Sequence, residues 1–405
     1  VDNKVNMLSF KYRIYPSKKQ RKRLNSQMAL LAELYNILLA KSKQYYKETG
    51  KTFGQFAMNK FITELKQQRP ELQNVHSQTL QNVSKRISDA YKAFFRRVKE
   101  KKAGKKIKVG FPRIKQMVYS ITYPQSGFKF RNERRLYLSG IGDIPIILHR
   151  APKGKIKTCT IKVYHSGKWY VGFSNEIPEE EFQSNCKERI GIDVGLKDLA
   201  TLSNGEKIFP PKFLRKSEKK LKLLHRRVSK KKKGSNNKRK ARFRLSRQYE
   251  KVTNQRYDFL HKLSRKQVKA YSLIKVENLK ITNMMRNHCL AKSIADASWG
   301  KYIQMLHYKA WSAGCEVKEV APENTTKDCH GCGNREDIDL SERTFRCSSC
   351  GNIDDRDINA AKNILKKTTV GLTGSNACGD LPSTSLARPK MQDISQKQEL
   401  YGTRT

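Results

Sequence analysis

Residues 190–195 read Ile190-Gly-Ile-Asp-Val-Gly195, and this stretch decides the fold of the second half of the chain. A short apolar run of this kind is typical of a buried β-strand. The run also carries Asp193, and a lone buried carboxylate costs several kcal/mol unless another group pairs with it. The chain then turns back through Ser203-Asn-Gly205, since Asn-Gly between apolar runs favours a hairpin. We therefore predict a β-sheet that begins here and a partner for Asp193.

Two more acids occupy comparable positions further along the chain. Glu277 ends the apolar strand Leu273-Ile-Lys-Val-Glu277, and Asp357 lies in the predicted helix start Asp354-Asp-Arg-Asp-Ile-Asn-Ala-Ala361. Three carboxylates at two strand ends and a helix start can hold two Mg²⁺ ions, since hard cations prefer oxygen ligands. Taken singly, Asp357 has the alternative role of an N-cap, and Glu277 that of an edge charge paired with lysine. The spacing alone leaves these alternatives open.

Two cysteine pairs lie between the second and third acids. They are Cys329-His-Gly-Cys332 and Cys347-Ser-Ser-Cys350, with 14 residues between them and a glycine directly after each. Two such pairs can complete a tetrahedral four-thiolate zinc site. A closed site of this kind is structural, so we assign it one Zn²⁺ and no catalysis, and we interpret His330 as a bystander. The nine cysteines, odd in number and paired in this way, indicate metal binding in a reducing compartment.

The net charge restricts the partners that this protein can have. The 405 residues include 85 Lys plus Arg and 36 Asp plus Glu, which gives a formal net charge of +49. Self-repulsion of this size opposes folding unless a polyanion neutralises it, and nucleic acid is the polyanion that fits. No run of about 18 apolar residues is present, so we predict no membrane span. The length suggests about two to four domains.

Strand and helix patterns also organise the first half of the chain. Residues 8–14 alternate strictly and predict a strand, and Ser17 opens helical patterns that continue to about residue 102. Short apolar runs between residues 117 and 173 predict further strands. The simplest assembly is a small β-barrel with the helical bundle inserted after its first strand. From Lys212 to Gln248 the chain has 18 Lys or Arg and one acid, and we predict two basic helices joined by a turn at Lys230–Gly234.

Several motifs occur together in one order along the chain. They are Phe10-Lys-Tyr-Arg-Ile-Tyr-Pro16, Gly110-Phe-Pro-Arg-Ile114, Gly191-Ile-Asp-Val-Gly-Leu-Lys197, Asn254-Gln-Arg-Tyr-Asp-Phe-Leu-His-Lys262, Val276-Glu-Asn-Leu279, Cys329–Gly333, Phe345-Arg-Cys-Ser-Ser-Cys-Gly351 and Asp355-Arg-Asp-Ile-Asn-Ala-Ala361. In this combination the chain resembles TnpB, the OrfB-type family of insertion sequences that is related to type V CRISPR effectors. The resemblance covers almost the whole chain, and the fixed order of linked motifs makes it specific.

This resemblance implies an α+β multidomain fold. The implied parts are a wedge-type β-barrel (1–27 and 104–185), an inserted helical recognition bundle (28–103), a RuvC-like nuclease of RNase H fold (186–325 and 352–367) and an inserted four-cysteine zinc knuckle (326–351). The Gly/Ser/Thr-rich composition after Lys367 predicts separately that residues 368–405 form a disordered tail.

The resemblance also implies an activity, that of an RNA-guided DNA endonuclease. Asp193, Glu277 and Asp357 match the family's metal-binding triad, and Asp357 is favoured over its acidic neighbours because it directly precedes Ile-Asn-Ala-Ala. Two Mg²⁺ ions held there would support in-line attack of water on a phosphodiester, leaving a 5′-phosphate and a 3′-hydroxyl. These three acids are therefore the expected catalytic residues.

The partners implied by the resemblance are a guide RNA from the transposon end and a double-stranded DNA target. Base pairing would supply sequence specificity, while the protein reads a short motif beside the target. Six side chains are candidates for nucleic-acid contacts, although each has the simpler alternative of a solvated surface residue. They are Gln78, Gln81, Lys85, Arg226, Arg227 and Arg242. We expect a prokaryotic, cytoplasmic, nucleoid-associated protein; the sequence leaves the oligomeric state open, with a monomer favoured.

Three other functions explain the sequence less well. A nuclease-dead RNA-guided DNA-binding repressor is the main alternative, and the presence of all three acids argues against it. A zinc-ribbon DNA-binding protein would explain the zinc site and the charge but not a buried Asp193. A transposase of these elements uses a His-hydrophobic-His motif and a Tyr nucleophile, and none of the eight histidines forms that pair.

Overall fold

The computed structural model describes residues 5–178, 188–339 and 342–367. Their contacts group them into two units: residues up to 178 together with Lys212–Asp258, and residues 188–211 together with those from Phe259 onwards. The predicted tail at 368–405 lies outside the described residues. Within the described ranges, no helix is both long enough and apolar enough to span a bilayer.

The first unit begins with a strand that leads directly into a long helix. Ser17 caps this helix through a reciprocal pair of bonds, because its hydroxyl accepts from the Gln20 backbone N–H while the Gln20 side chain accepts from the Ser17 N–H. Gly50 ends the helix in the left-handed conformation, with φ of 67°. The helix after Ser17 is therefore confirmed. The elements are β1 (Val5–Ile14), α1 (Lys18–Thr49), α2 (Gln55–Gln68) and α3 (Ser77–Lys102).

Six more strands complete an antiparallel sheet with β1. They are β2 (Ser120–Pro124), β3 (Phe128–Asn132), β4 (Arg135–Leu138), β5 (Gly142–Ile147), β6 (Lys155–Val163) and β7 (Trp169–Pro178). The order is β2-β6-β7-β1-β5-β4-β3, so β2 and β3 are the two edges among the described strands. The predicted barrel is thus a half-barrel sheet, a correction that follows from the register, since β1 pairs with β7 along its whole length and with β5 only at Arg13 and Ile14.

One continuous apolar core joins the helices to this sheet. Leu24 and Leu38 from α1 and Leu80 from α3 are fully buried against the inward-facing residues of the sheet, such as Ile161. The unit also contains the basic helix α4 (Phe213–Ser229) and the first part of α5 (Asn236–Ala270). The two predicted basic helices and the turn between them are therefore confirmed.

The second unit is built on a mixed five-stranded sheet. Its elements are β8 (Arg189–Asp193), β9 (Ala200–Leu202), β10 (Lys207–Ile208), β11 (Leu273–Glu277), α6 (Ile281–Met284), α7 (His288–Ala297), α8 (Trp299–Ala310), β12 (Glu316–Val320), β13 (Thr344–Arg346), β14 (Ile353–Asp355) and α9 (Arg356–Lys366). The order is β10-β9-β8-β11-β12; β8, β9 and β10 are antiparallel neighbours, and β11 is parallel to both β8 and β12. The sheet and the hairpin predicted from the Asn-Gly turn are confirmed.

Candidate active site and metal centre

Asp193 and Glu277 end neighbouring parallel strands. The register pairs Ile192 of β8 with Val276 of β11, so the next residue on each strand is an acid. The carboxyl ends of parallel strands meet at one edge of a sheet, which places the two side chains next to each other. Glu277 is 8% exposed and lies on an interior strand, so it is not an exposed edge charge, although the charge of Lys367 acts on it.

Gly191 allows helix α9 to lie directly on β8. A Cβ atom at this position would be 2.1 Å from the Ala361 carbonyl oxygen and 2.8 Å from the Leu365 nitrogen. Asp193 is two residues further along the strand, about 6.6 Å away, and Asp357 is four residues before Ala361 in the helix, about 6 Å away. The contact at Gly191 thus holds α9 against β8, and the charge of Asp357 acts on Asp193.

We expect Gly191→Ala to destabilise the second unit by about 3 kcal/mol or more, because the added methyl group overlaps helix backbone that has no rotamer to change. Chemical denaturation of the full chain measures this effect. Gly110→Ala is the matched control, since a Cβ there meets nothing within 4 Å. Equal stability of the two variants would show that α9 does not pack on β8 in this way.

Asp357 is oriented by the residues around the start of its helix. Asp355 is the N-cap of α9, and its carboxylate accepts from the backbone N–H groups of Asp357 and Ile358 at 3.0 and 3.3 Å. The Nζ atom of Lys207 in β10 lies 2.6 Å from Asp355 Oδ2, and this hydrogen bond raises the pKa of Lys207. The alternative of Asp357 as an N-cap is therefore wrong, because the preceding acid has that role. The Asp357 carboxylate is also paired with Arg356 at 3.4 Å and with Arg343 at 3.5 Å.

The electrostatics of Asp193 show that the acids are close enough to interact. Protein atoms surround its carboxylate, although part of the residue is still open to solvent. Burial, then the charges of Glu277 and Asp357, raise the pKa of Asp193 to about 8. Burial also raises the pKa of Glu277, while the hydroxyl of Thr325 and the charge of Lys367 act in the opposite direction. Such a concentration of negative charge suits a cation.

The three carboxylates are spaced more widely than the ligands of a single small ion. In the described ranges, the four cysteines are the only group of three or more candidate ligands whose atoms all lie within 4.8 Å of one another. Two ions about 3.5–4 Å apart need carboxylates spread over a larger region than one ion does. The three carboxylates are oxygen donors of the kind that hard divalent cations prefer.

The predicted cysteine site converges fully. The Sγ atoms of Cys329 and Cys350 are 3.7 Å apart, and those of Cys332 and Cys347 are 3.5 Å apart. A tetrahedron with Zn–S bonds of about 2.3 Å has sulfur atoms about 3.8 Å apart. The four thiols therefore fit one zinc ion. His330 is outside the group, and its Nδ1 lies 3.1 Å from Asn359 Oδ1, as expected of a bystander.

Backbone geometry prepares these thiols for a metal. Gly333 and Gly351 adopt φ values of 81° and 69°, and each donates its N–H to the carbonyl of the first cysteine of its pair at 3.0 Å. Burial opposes ionisation of Cys329, but backbone N–H groups at Gly331 and Cys332 and two neighbouring thiols lower its pKa to about 7. At Cys350 a backbone N–H acts to lower the pKa, but the neighbouring thiols act in the opposite direction and raise it. Cys329 is therefore the thiol disposed to ionise first, and the thiolate is the form that binds metal.

The candidate nucleic-acid residues lie on the surface of the first unit. Gln81 and Lys85 are exposed on one face of α3, and the side-chain Oε1 of Gln78 accepts from the backbone N–H of Ser126 at 3.1 Å. Three candidates on the basic helices are exposed as well: Arg226, Arg227 and Arg242. The basic pair is attached to the sheet through Glu250 of α5, which accepts from Tyr170 at 2.9 Å and pairs with Lys168.

Several residues around the acids were not predicted from the sequence. Lys207 and Asp355 hold Asp357, Thr325 donates to Glu277, and Trp299 donates its indole N–H to Gly195 O at 3.1 Å, just after Asp193. An acid shortly before a helix is an N-cap signal, so Asp355 could have been found. No local sequence pattern indicates the roles of Lys207, Thr325 and Trp299, because their partners are distant in sequence.

Comparisons with known proteins agree with this architecture. Residues 173–288 match a family described as "Probable transposase" of the OrfB type from IS605 elements, residues 299–364 match a "Cas12f1-like, TNB domain", and residues 7–51 match a "Helix-turn-helix domain". The TNB match spans α8 to α9 and includes all four cysteines.

Relatives match along almost the entire chain. A "Putative RNA-guided DNA endonuclease" of Streptomyces pristinaespiralis is 32% identical, with 96% of each chain covered. A "Putative RNA-guided DNA endonuclease InsQ" of Escherichia coli K12 is 29% identical, with 95% of this chain and 96% of that one covered. The solved mini-RNA-guided endonuclease CRISPR-Cas phi3 shares the fold at a TM-score of 0.50 and 10% identity, covering 90% of this chain and 93% of that one.

These matches define a protein of the OrfB class encoded by insertion sequences. Within that class, the chain belongs to the TnpB family.

Proposed function

We propose that this protein is an RNA-guided DNA endonuclease in which Asp193, Glu277 and Asp357 hold two Mg²⁺ ions. One observation carries the catalytic part: acids from two strand ends and a helix start lie close enough that, after burial, the charges of Glu277 and Asp357 help to raise the pKa of Asp193. Folds do not usually gather charge in this way without a function. The names of the two relatives support the RNA-guided part.

Each acid has a separate task in this proposal. Asp193, whose carboxyl interacts with the charges of both other acids, would hold the ions together with Glu277 and Asp357. Bound Mg²⁺ ions would stabilise the charge on the attacking and leaving oxygens of a phosphodiester. Lys207 and Asp355 would keep Asp357 directed at the site, and Trp299 would fix the turn that follows Asp193.

The fold of the second unit supports a RuvC-like assignment within the RNase H class. Three antiparallel strands followed by two parallel ones, in the order β10-β9-β8-β11-β12, form the arrangement expected of that fold. The half-barrel sheet and helices α1 to α3 would be the wedge and recognition parts. The domain boundaries stay predictions, and a boundary at residue 27 would fall inside α1.

The first unit would hold the guide RNA and the target. Its basic helices carry most of the 18 Lys and Arg found between Lys212 and Gln248, and a guide with its DNA heteroduplex offers enough phosphates to neutralise them. Arg226, Arg227 and Arg242 would contact phosphates. Gln81 and Lys85 would face bases beside the target.

Sequencing of RNA that co-purifies with the protein tests the guide. We expect a discrete RNA from the end of the mobile element. A plasmid library that matches this RNA should then be cut with Mg²⁺ and left intact with EDTA, and a plasmid with an unrelated sequence is the matched control. Protein that purifies free of RNA would contradict the proposal, while guided binding without cutting would favour the nuclease-dead repressor.

A further inference from the structure

A buried hydrogen bond links Glu277 to the segment that enters the cysteine site. Thr325 is 2% exposed, and its hydroxyl donates to Glu277 Oε1 at 2.5 Å. The same hydroxyl lies 3.3 Å from the Pro322 carbonyl oxygen. Because a hydroxyl has a single proton, the shorter contact to the charged oxygen takes it. Thr325 therefore fixes one of the two oxygens of Glu277.

Helix α9 holds the same segment through two buried amides. The Nδ2 amide group of Asn363 donates hydrogen bonds to the backbone carbonyl oxygens of Thr325 and Asp328, at 2.9 and 2.5 Å. Asn359, which is fully buried, donates to Asp328 O at 2.9 Å and accepts from the His330 backbone N–H at 2.9 Å. Cys329 lies between Asp328 and His330 in the chain, so the helix that carries Asp357 also holds the first cysteine in place.

The simpler interpretation is that these groups only satisfy buried backbone atoms. Buried polar groups are normally hydrogen-bonded, and the contacts of Asn359 and Asn363 follow that rule. Thr325 differs, because its partner is a carboxylate among the acids of the candidate active site. Groups that hydrogen-bond to a ligating carboxylate orient it, and their loss typically lowers metal affinity by 10–100-fold.

We propose that Thr325 is a positioning residue for Glu277, and that α9 and the cysteine site together keep Thr325 in place. The proposal rests on the proposed function, since Glu277 is a metal ligand only there. Its consequence is that the affinity of the acids for divalent ions depends on an intact cysteine site, although the two sites share no ligand.

Terbium luminescence provides a readout other than cleavage. The Trp299 indole bonds to Gly195 O, two residues after Asp193, so tryptophan excitation should sensitise Tb³⁺ held at the acids. The full chain with its bound RNA is titrated with Tb³⁺, and displacement by Mg²⁺ confirms the site. Tb³⁺ signal that persists in Asp193→Asn is background from RNA and is subtracted.

The matched pair is Thr325→Val, which keeps the shape but loses the hydroxyl, and Thr325→Ser, which keeps the hydroxyl. We expect Thr325→Val to weaken Tb³⁺ binding by about 10-fold or more, Thr325→Ser to bind like the wild type, and both to retain zinc. Equal affinity in all three proteins would overturn the proposal, and so would loss of zinc from Thr325→Val, because the hydroxyl would then act on the cysteine site instead.

Cys350→Ser tests the second half of the proposal. Cys350 is exposed, so the substitution removes a metal ligand but no buried packing, and circular dichroism first establishes that the variant is folded, because zinc loss itself destabilises the second unit. We expect it to lose zinc and to weaken Tb³⁺ binding in the same direction as Thr325→Val; unchanged Tb³⁺ affinity after zinc loss would overturn the coupling. Failure of the proposed function would give a different result, because the wild type and Asp193→Asn would then show the same Tb³⁺ luminescence.

Discussion

Asp193→Asn is expected to abolish DNA cleavage, with a loss on the order of 10³-fold or more, while guide RNA binding is retained. The size follows from removing a group that acts directly on the reacting centre. The selectivity follows because Asp193 lies in the sheet of the second unit, whereas the basic helices belong mainly to the first. Single-turnover cleavage of a matched target and RNA retention during gel filtration measure the two effects.

Glu316→Gln is the control for loss of a negative charge, since Glu316 is an exposed residue at the start of β12. It should cleave like the wild type. Cleavage by Asp193→Asn within tenfold of the wild type would reject these acids as the catalytic centre.

The same variant also has a predicted effect on stability. The pKa of Asp193 rises from 3.8 to about 8 in the metal-free protein, so the folded chain holds this proton more tightly than the unfolded chain does. The free energy of unfolding therefore falls as the pH rises from 3.8 to about 8. Asp193→Asn removes the charge, and we expect its melting temperature without divalent ions to depend less on pH than that of the wild type.

Cys329→Ser should remove zinc and destabilise the second unit by several kcal/mol, the second large effect that we expect. The reason is that zinc binding contributes directly to folding free energy in small four-thiolate sites. The local apolar support is small, because only Phe345 and Ile338 are found to pack against the buried cysteines in the described part of the chain. Zinc stoichiometry and chemical denaturation measure the two effects.

Cys289→Ser provides the matched control, since Cys289 is an exposed cysteine on α7 that is outside the group of four. It should retain zinc and stability. A full complement of zinc in Cys329→Ser would contradict the four-cysteine assignment.

Local patterns in the sequence were sufficient for the elements that carry the site. An acid inside one apolar run drew attention to Asp193 and an acid at the end of another to Glu277, and paired cysteines with following glycines located the four-cysteine cluster. Both are short-range features, since strand ends and tight turns depend on neighbouring residues. The convergence of the four thiols follows from the spacing because each pair already fixes two ligands.

The supporting contacts could not be predicted in the same way. Lys207 reaches Asp355 across much of the chain, and Thr325 lies in a segment with no periodic pattern. These residues contact their partners only once the order of the strands in the sheet is set. Local sequence patterns do not give that strand order. The same limit explains the half-barrel, because the alternation of residues 8–14 predicts a strand but not whether the edges of its sheet meet.

The packing of α9 on Gly191 has a consequence for the order in which the protein is made. Strand β8 leaves the ribosome long before α9, so Asp193 has no Asp357 above it until the helix has been translated. Nascent chains, and copies shortened by a stop codon before α9, would carry the basic helices without the third carboxylate.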